Sequence, residues 1–196
     1  MPLAHSQIIL ASASPRRSEL LQQIGVQFRV IVSNSEEIPA PGEAAEDYVC
    51  RVALAKARAV WEQLPQDEKR PVLGADTEVI LDGAILGKPA DCDTGLAMLA
   101  RLSGRTHEVL SAVALVYVGG EALRVSRSVV SFRPTTSQER AAYWASGEPL
   151  GKAGGYAVQG LGAVFINSLA GSYSGVMGLP IFETAELLRE IGIEVL

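Results

Sequence analysis

Short apolar runs typical of buried strands alternate along this chain with segments whose apolar residues recur at helical spacing. Apolar runs at 6–11 and 28–32 predict two strands, and the amphipathic stretch 44–64, which Pro65 ends, predicts a long helix. A chain that alternates the two element types buries both by covering a sheet with helices. The pattern therefore predicts an α/β fold.

Two tight-turn signals indicate that the sheet is mixed and not purely parallel. Asp82-Gly83 and Gly119-Gly120 each lie between two apolar runs, which is the pattern of antiparallel strands joined by a hairpin. Three further helices and a final short strand are predicted at 93–102, 136–145, 180–191 and 164–166.

Side-chain alternation predicts how the strands after the first turn are oriented. The run 108–118 is almost entirely apolar, so we expect a strand buried on both faces. In the following predicted strand, 122–132, the polar residues Arg124, Ser126 and Ser128 alternate with other residues. Because successive side chains point to opposite faces of a sheet, we expect these three to face solvent.

Composition excludes several classes of protein. The net charge is -5 and no basic tract is present, so we expect no nucleic-acid partner. No apolar run approaches the roughly 18 residues of a membrane span, and the first residues lack a basic leader, so we expect no membrane partner. Cys50 and Cys92 lie far apart and fit free thiols in a reducing compartment. These features predict a cytoplasmic protein.

The segment 12–17 joins the first predicted strand to a helix that should begin at Pro15, with Ser14 as its N-cap. Free backbone N–H groups and the helix dipole favour an anion at such a position. Arg16 and Arg17 oppose that dipole, and a bound phosphate would remove the conflict. Taken alone, the segment fits an ordinary N-cap with solvated arginines somewhat better.

A candidate catalytic carboxylate follows a short apolar run at 72–75, which predicts a buried strand that ends there. Asp76 lies just beyond it, where it could bind a metal or orient an attacking water. A turn aspartate at a strand end fits equally well. Glu78 shares the face of Asp76 by alternation, although an exposed carboxylate at a sheet edge is the favoured interpretation for it.

Three lysines and a pair of glutamates could complete an anion site. Lys56 lies on the apolar line of the predicted helix 44–64, and a lysine on an inward face needs an anionic partner or a route to water. Lys88 and Lys152 each follow a glycine. Each lysine alone is typical of a surface position. Glu36 and Glu37 could supply carboxylates to Mg²⁺ beside phosphate oxygens, or could belong to a solvated loop.

Taken together, these segments resemble the signature runs of the Maf family of nucleotide pyrophosphatases. The matching runs are 10–17, 19–21, 33–37, 55–57, 74–77, 87–89, 102–107, 152–154, 156–160 and 176–180. They span nearly the whole chain in the family's order and spacing. The resemblance implies a Maf/ITPase-like fold formed by 1–196 as one domain. That fold is a mixed, twisted central sheet flanked by helices, in two lobes with a cleft between them, often assembled as a homodimer.

The resemblance also implies an activity and roles for individual residues. The activity is hydrolysis of dTTP and UTP, and of modified pyrimidine nucleotides, to the monophosphate and pyrophosphate, in house-cleaning of the nucleotide pool. A divalent cation, Mg²⁺ or Mn²⁺, assists. Asp76 matches the general base and a metal ligand. The positions that match phosphate-holding residues are Ser14, Arg17, Lys56 and Lys88, with Lys152 as a further substrate contact. The metal-side positions are Glu36 and Glu37, and the base-preference positions are Arg16, Thr77 and Gln159.

Three positions depart from the family's usual pattern. Gly151 stands where many relatives have an aspartate, Glu78 replaces a usually apolar residue, and Ala157 replaces a common glycine. A non-catalytic nucleotide-binding regulator of cell division remains the alternative function. It would need the phosphate-holding residues but not Asp76.

Overall fold

The structure is a computed structural model that describes residues 6–35 and 37–195, and their strands form one mixed sheet. The strands are β1 (Ile8–Leu10), β2 (Phe28–Val30), β3 (Val72–Leu81), β4 (Ala84–Ile85), β5 (Thr106–Tyr117), β6 (Gly120–Phe132) and β7 (Ile166–Ala170). Their order is β2-β1-β3-β5-β6-β7, with β4 paired to β3. β1 runs parallel to β2 and β3, whereas β3, β5, β6 and β7 are antiparallel neighbours.

Helices cover both faces of this sheet, which confirms the predicted mixed α/β fold. They are α1 (Pro15–Gln23), α2 (Ala45–Gln63), α3 (Cys92–Leu102), α4 (Ser137–Ala145), α5 (Tyr173–Met177) and α6 (Ile181–Glu190). α2 packs on the face that carries the even-numbered residues of β3, such as Val72 and Ile80. The odd-numbered residues face α1 and α6 at one end of the strand and α3 and α4 at the other.

On the odd-numbered face the core is divided into two apolar clusters. One contains Leu73 of β3 together with residues of α1 and α6, and the other contains Val79 with residues of α3 and α4. Between the two clusters lies Thr77, which is paired across the sheet with Ser111. This polar position separates the two halves of the molecule on that face and marks the floor of a cleft.

The edge of β3 is uncovered in the same place. β1 pairs with β3 only at Val72 and Leu73, and β4 pairs with it only at Ile80 and Leu81. Between these pairings, residues 74–78 have only β5 as a neighbouring strand. Side chains from both faces of β3 can therefore reach a single opening at this edge.

Three sequence predictions about these elements are wrong. The strand does not end at Ala75, because β5 pairs with β3 continuously and carries Asp76 within it. The predicted strand 164–166 is mostly a 3-10 segment, Leu161–Phe165, and β7 begins only at Ile166. Ser126 and Ser128 are buried rather than solvent-facing, because the α5 segment packs over β6.

α2 lies unusually close to β3, and a glycine makes this possible. A Cβ atom placed on Gly74 would lie 2.2 Å from the carbonyl oxygen of Ala53 and 2.8 Å from the backbone nitrogen of Ala57. Both atoms belong to the backbone of α2 and cannot move aside independently. The contact fixes the height of the helix above the strand, and with it the position of Lys56.

Replacing Gly74 with alanine should therefore push α2 away from β3. We expect Gly74→Ala to lower the free energy of unfolding by about 1–3 kcal/mol, the usual cost of overpacking a tight core. Urea denaturation followed by circular dichroism measures this change. A variant as stable as the parent chain would show that α2 does not rest on the β3 backbone.

Candidate active site

A cleft of about 410 Å³ opens beside the uncovered edge of β3. Ten of the residues singled out from the sequence line it: Ser14, Arg16, Arg17, Glu37, Lys56, Asp76, Thr77, Lys88, Lys152 and Gln159. Glu36 lies outside the described residues. The structure thus brings together, in one cavity, side chains that are spread over most of the chain.

The N-terminus of α1 forms one wall of the cleft. Ser14 is the N-cap residue, but its side chain makes no capping hydrogen bond, and its backbone N–H donates to Ser12 Oγ at 3.1 Å. Arg17 donates from Nε to the carbonyl oxygen of Gly178 at 2.8 Å and from Nη1 to Ser12 Oγ at 3.2 Å. Arg16 Nε donates to the carbonyl oxygen of Met177 at 3.1 Å.

The two arginines are therefore fixed by main-chain carbonyls and are not freely solvated. Burial lowers the pKa of both Arg16 and Arg17 below the ordinary value for a guanidinium. An arginine keeps its charge even so, because its unperturbed pKa is far above neutrality. The wall carries two positive charges directly at a helix N-terminus, which suits an anion.

A chain of ion pairs crosses the cleft from α2 to the loop after β4. Lys56 Nζ contacts Asp76 Oδ1 at 2.9 Å and Glu37 Oε1 at 2.7 Å. Lys88 Nζ contacts the other oxygen of Glu37, Oε2, also at 2.7 Å. The expectation that an inward-facing Lys56 needs an anionic partner is confirmed, and it has two.

The carboxylate oxygens in and beside this network differ in their hydrogen bonding. Burial alone would raise the pKa of Glu37, but the hydrogen bonds from Lys56 and Lys88 outweigh it and lower the pKa to about 2. Two carboxylate oxygens nearby, Asp76 Oδ2 and Glu78 Oε2, are buried and have no hydrogen-bond partner among the described residues. Unsatisfied buried acceptors are rare in proteins and indicate a place for a water, an ion or a substrate group.

Glu78 differs from the favoured sequence interpretation of an exposed edge carboxylate. Its exposed fraction is 6%, because α2 covers the face of β3 on which it lies with Asp76. Burial, followed by the charge of Asp76, raises its pKa to about 8. Glu78 is thus part of the buried acidic region and not of the solvated surface.

Lys152 and Gln159 also line the cleft. Lys152 Nζ donates to the carbonyl oxygen of Glu148, so a main-chain group anchors it although Gly151 offers no side chain. Burial, and then the charge of Arg16, lowers the pKa of Lys152. Gln159 is exposed at the cleft.

Sequence reasoning assigned no individual role to the residues that hold these groups in place. Ser12, Ser111 and the segment that contains α5 all contact predicted site residues. α5 has only five residues, too few to produce a readable helical period. Its local signal is Ser172, which caps the helix by accepting a hydrogen bond from the N–H of Gly175.

The mixed sheet and the cation-lined cleft define an α/β protein with a site for a small polyanion. The chain belongs to the Maf-like protein family, whose model matches residues 7–191.

Curated relatives match nearly the whole chain. The dTTP/UTP pyrophosphatase of Methylococcus capsulatus is 55% identical over 95% of this chain and 92% of its own length. The dTTP/UTP pyrophosphatase of Burkholderia lata is 52% identical over 96% of this chain and 94% of its own length. The solved Ham1 protein of Staphylococcus aureus is 12% identical and covers 64% of this chain and 71% of its own, with a TM-score of 0.43.

Lys56 and Lys88 offer a matched test of the ion-pair chain, because both contact Glu37. The side chain of Lys56 is 7% exposed, whereas that of Lys88 is 51% exposed. Lys56→Met leaves buried carboxylates without their counter-charge and should cost about 3–5 kcal/mol of unfolding free energy at pH 7. Lys88→Met should cost less than about 1 kcal/mol, as surface pairs do. Urea denaturation of both variants measures the difference, and equal losses would contradict the burial argument.

Proposed function

We propose that this protein is a nucleoside triphosphate pyrophosphatase that hydrolyses dTTP and UTP to the monophosphate and pyrophosphate. The names of the relatives support this activity. The structural observation that most supports the proposed activity is the position of Asp76. Lys56 occupies Oδ1 of its carboxylate, while Oδ2 is buried beside the cleft and has no hydrogen-bond partner in the described part of the chain.

The cations of the cleft would hold the triphosphate. Arg17 and the N-terminus of α1 form one side, and Lys56 and Lys88 form the other, with Ser14 at the helix end. A triphosphate carries enough negative charge to replace Glu37 as the partner of Lys88. Positioned cations of this kind stabilise charge that develops on a leaving pyrophosphate.

Asp76 would act as the general base. Its Oδ2 accepts a hydrogen bond from a water and takes the proton as the water oxygen attacks the α-phosphorus. The bond from the α-phosphorus to the bridging oxygen breaks in line, and pyrophosphate leaves. Lys56 fixes the carboxylate through Oδ1 throughout, so that the free oxygen faces the water.

The residues present also fit a divalent cation, Mg²⁺ or Mn²⁺. Asp76 and Glu78 each have a buried carboxylate oxygen that no other described residue contacts by a hydrogen bond, and such oxygens are hard donors of the kind that these ions prefer. Among the described residues no cluster of three His, Cys, Asp or Glu forms a complete metal cage. Mg²⁺ commonly takes only one or two carboxylates and completes its shell with waters and substrate phosphates.

Asp76 would hold the cation in this proposal, together with Glu37 and its sequence neighbour Glu36, the metal-side positions that the family resemblance implies. When bound, it would offset phosphate charge as a Lewis acid. Base preference would come from Arg16, Thr77 and Gln159. The Gln159 amide offers both a donor and an acceptor to a pyrimidine edge, and Lys152 would add a further substrate contact.

Other properties remain predictions. In residues 6–35 and 37–195, no helix is long and apolar enough to cross a membrane. The cytoplasmic location, the homodimer, the lack of a nucleic-acid partner and the house-cleaning role on ordinary or modified pyrimidine nucleotides rest on sequence and family resemblance.

Asp76→Asn tests the assignment of the base. The amide cannot accept the proton, so kcat for UTP should fall by about 10²–10⁴, while UTP binding is retained. Pyrophosphate release with Mg²⁺ or Mn²⁺ measures turnover, and calorimetry measures binding. Asp82→Asn, at the exposed β3–β4 turn, is the matched control and should leave kcat unchanged. Near-normal turnover in Asp76→Asn would remove Asp76 from the role. A wild-type chain that binds UTP but releases no pyrophosphate would favour the regulator of cell division.

A further inference from the structure

A chain of hydroxyl hydrogen bonds connects the cleft to the α5 segment. Thr77 lines the cleft, and its Oγ1 lies 2.9 Å from Ser111 Oγ on the neighbouring strand. Ser111 Oγ lies 2.6 Å from the carbonyl oxygen of Gly175. Ser111 has an exposed fraction of 1%, in a strand whose other buried residues are nearly all apolar.

The direction of these hydrogen bonds follows from counting the protons that each group can donate. A carbonyl oxygen only accepts, so Ser111 must donate its single hydroxyl proton to Gly175. Ser111 Oγ can then only accept from Thr77. The other neighbour of Thr77 Oγ1 is the carbonyl oxygen of Gly178 at 3.4 Å, which also only accepts. In either case the proton of Thr77 points into the protein and its lone pairs remain for the cleft.

Thr77 is therefore an acceptor, and not a donor, toward anything bound in the cleft. Uracil and thymine carry an N–H donor at ring position N3, whereas cytosine carries an unprotonated nitrogen acceptor there. A hydroxyl that can only accept pairs with the N3–H of uracil or thymine. It cannot pair with the unprotonated N3 of cytosine, because two acceptors cannot form a hydrogen bond. A ligand that leaves a buried acceptor of the site without a hydrogen bond binds more weakly, because the unpaired acceptor costs free energy.

We propose that Ser111 is a positioning residue that locks Thr77 as an acceptor, and that this selects uracil and thymine nucleotides over cytosine nucleotides. The inference rests on the proposed function, since it requires ring position N3 of the pyrimidine to lie against Thr77. Ser111 itself never touches the base. It acts by accepting a hydrogen bond from Thr77, because its own proton is already donated to the carbonyl oxygen of Gly175.

Ser111→Ala removes the nearer of the two acceptors of the Thr77 proton and leaves only the long contact to the carbonyl oxygen of Gly178, at 3.4 Å. The Thr77 hydroxyl can then turn and donate to N3 of cytosine. We expect the ratio of kcat/KM for CTP to that for UTP to rise by roughly tenfold, the usual effect of pairing a previously opposed polar group. The assay is pyrophosphate release from CTP and UTP by the full chain, with the same divalent cation in every reaction.

Ser128→Ala is the matched control. Ser128 is also a buried serine that supports the α5 segment, accepting from the N–H of Ser172 at 2.9 Å. It has no hydrogen bond to Thr77, so its loss can loosen the segment without freeing the Thr77 proton. We expect Ser128→Ala to keep the wild-type ratio of CTP to UTP. An equal change in both variants would reduce Ser111 to a structural role and overturn the proposal.

If Ser111→Ala folds poorly, two other experiments test the inference. One uses the variant Ser111→Cys, and the other measures inhibition of the wild-type chain by nucleoside monophosphates. Cysteine retains a weak acceptor and should restore part of the discrimination. In the wild-type chain, UMP should inhibit UTP hydrolysis at lower concentration than CMP. An unchanged ratio of kcat/KM for CTP to that for UTP in Ser111→Ala would overturn the inference, and so would equal inhibition by UMP and CMP. In both cases hydrolysis of UTP by the wild-type chain would still support the proposed function. Absence of UTP hydrolysis in the wild-type chain would instead remove the proposed function.

Discussion

The buried ion pair between Lys56 and Asp76 is the interaction on which the site depends. It joins α2 to the middle of β3, and the close approach of α2 to Gly74 sets its geometry. A buried aspartate without a counter-charge would carry an uncompensated cost of desolvation. Lys56 supplies that charge while leaving one carboxylate oxygen unpaired. The same ion pair therefore joins two elements of the fold and positions the carboxylate of the candidate site.

The uncovered edge of β3 explains why two kinds of recognition can share one cleft. Asp76 lies on the face covered by α2, whereas Thr77 lies on the face covered by α5. In the interior of a sheet such neighbours would be separated by the sheet itself. Here β1 and β4 leave residues 74–78 open, so both side chains reach the same cavity. In the proposed function, the triphosphate chemistry and the recognition of the base would therefore come from adjacent residues.

Much of the fold and the charged residues that line the cleft could be predicted from the sequence. Local patterns identified α2 by its apolar line, the start of α1 by Ser14 and Pro15, and the turn at Asp82-Gly83, and all three are present. The need of Lys56 for an anionic partner also followed from its place on that line.

What escaped prediction depends on contacts between distant parts of the chain. Asp76 pairs with Ala112 of β5, which is 36 positions away, and this pairing keeps it within a strand that local sequence signals predict to end before it. The burial of Glu78 requires α2 above it. The bond of Ser111 to Gly175 joins residues 64 positions apart, and the bond of Arg17 to Gly178 joins residues 161 apart. No local pattern contains such pairings.

Hydrolysis of UTP in heavy-oxygen water tests the central claim most directly, because it reports which phosphorus the activated water attacks. If Asp76 directs water to the α-phosphorus, mass spectrometry will find the heavy oxygen in UMP and none in pyrophosphate. Label in pyrophosphate would show attack at the β-phosphorus and would contradict the placement of Asp76 as the base for the α-phosphorus.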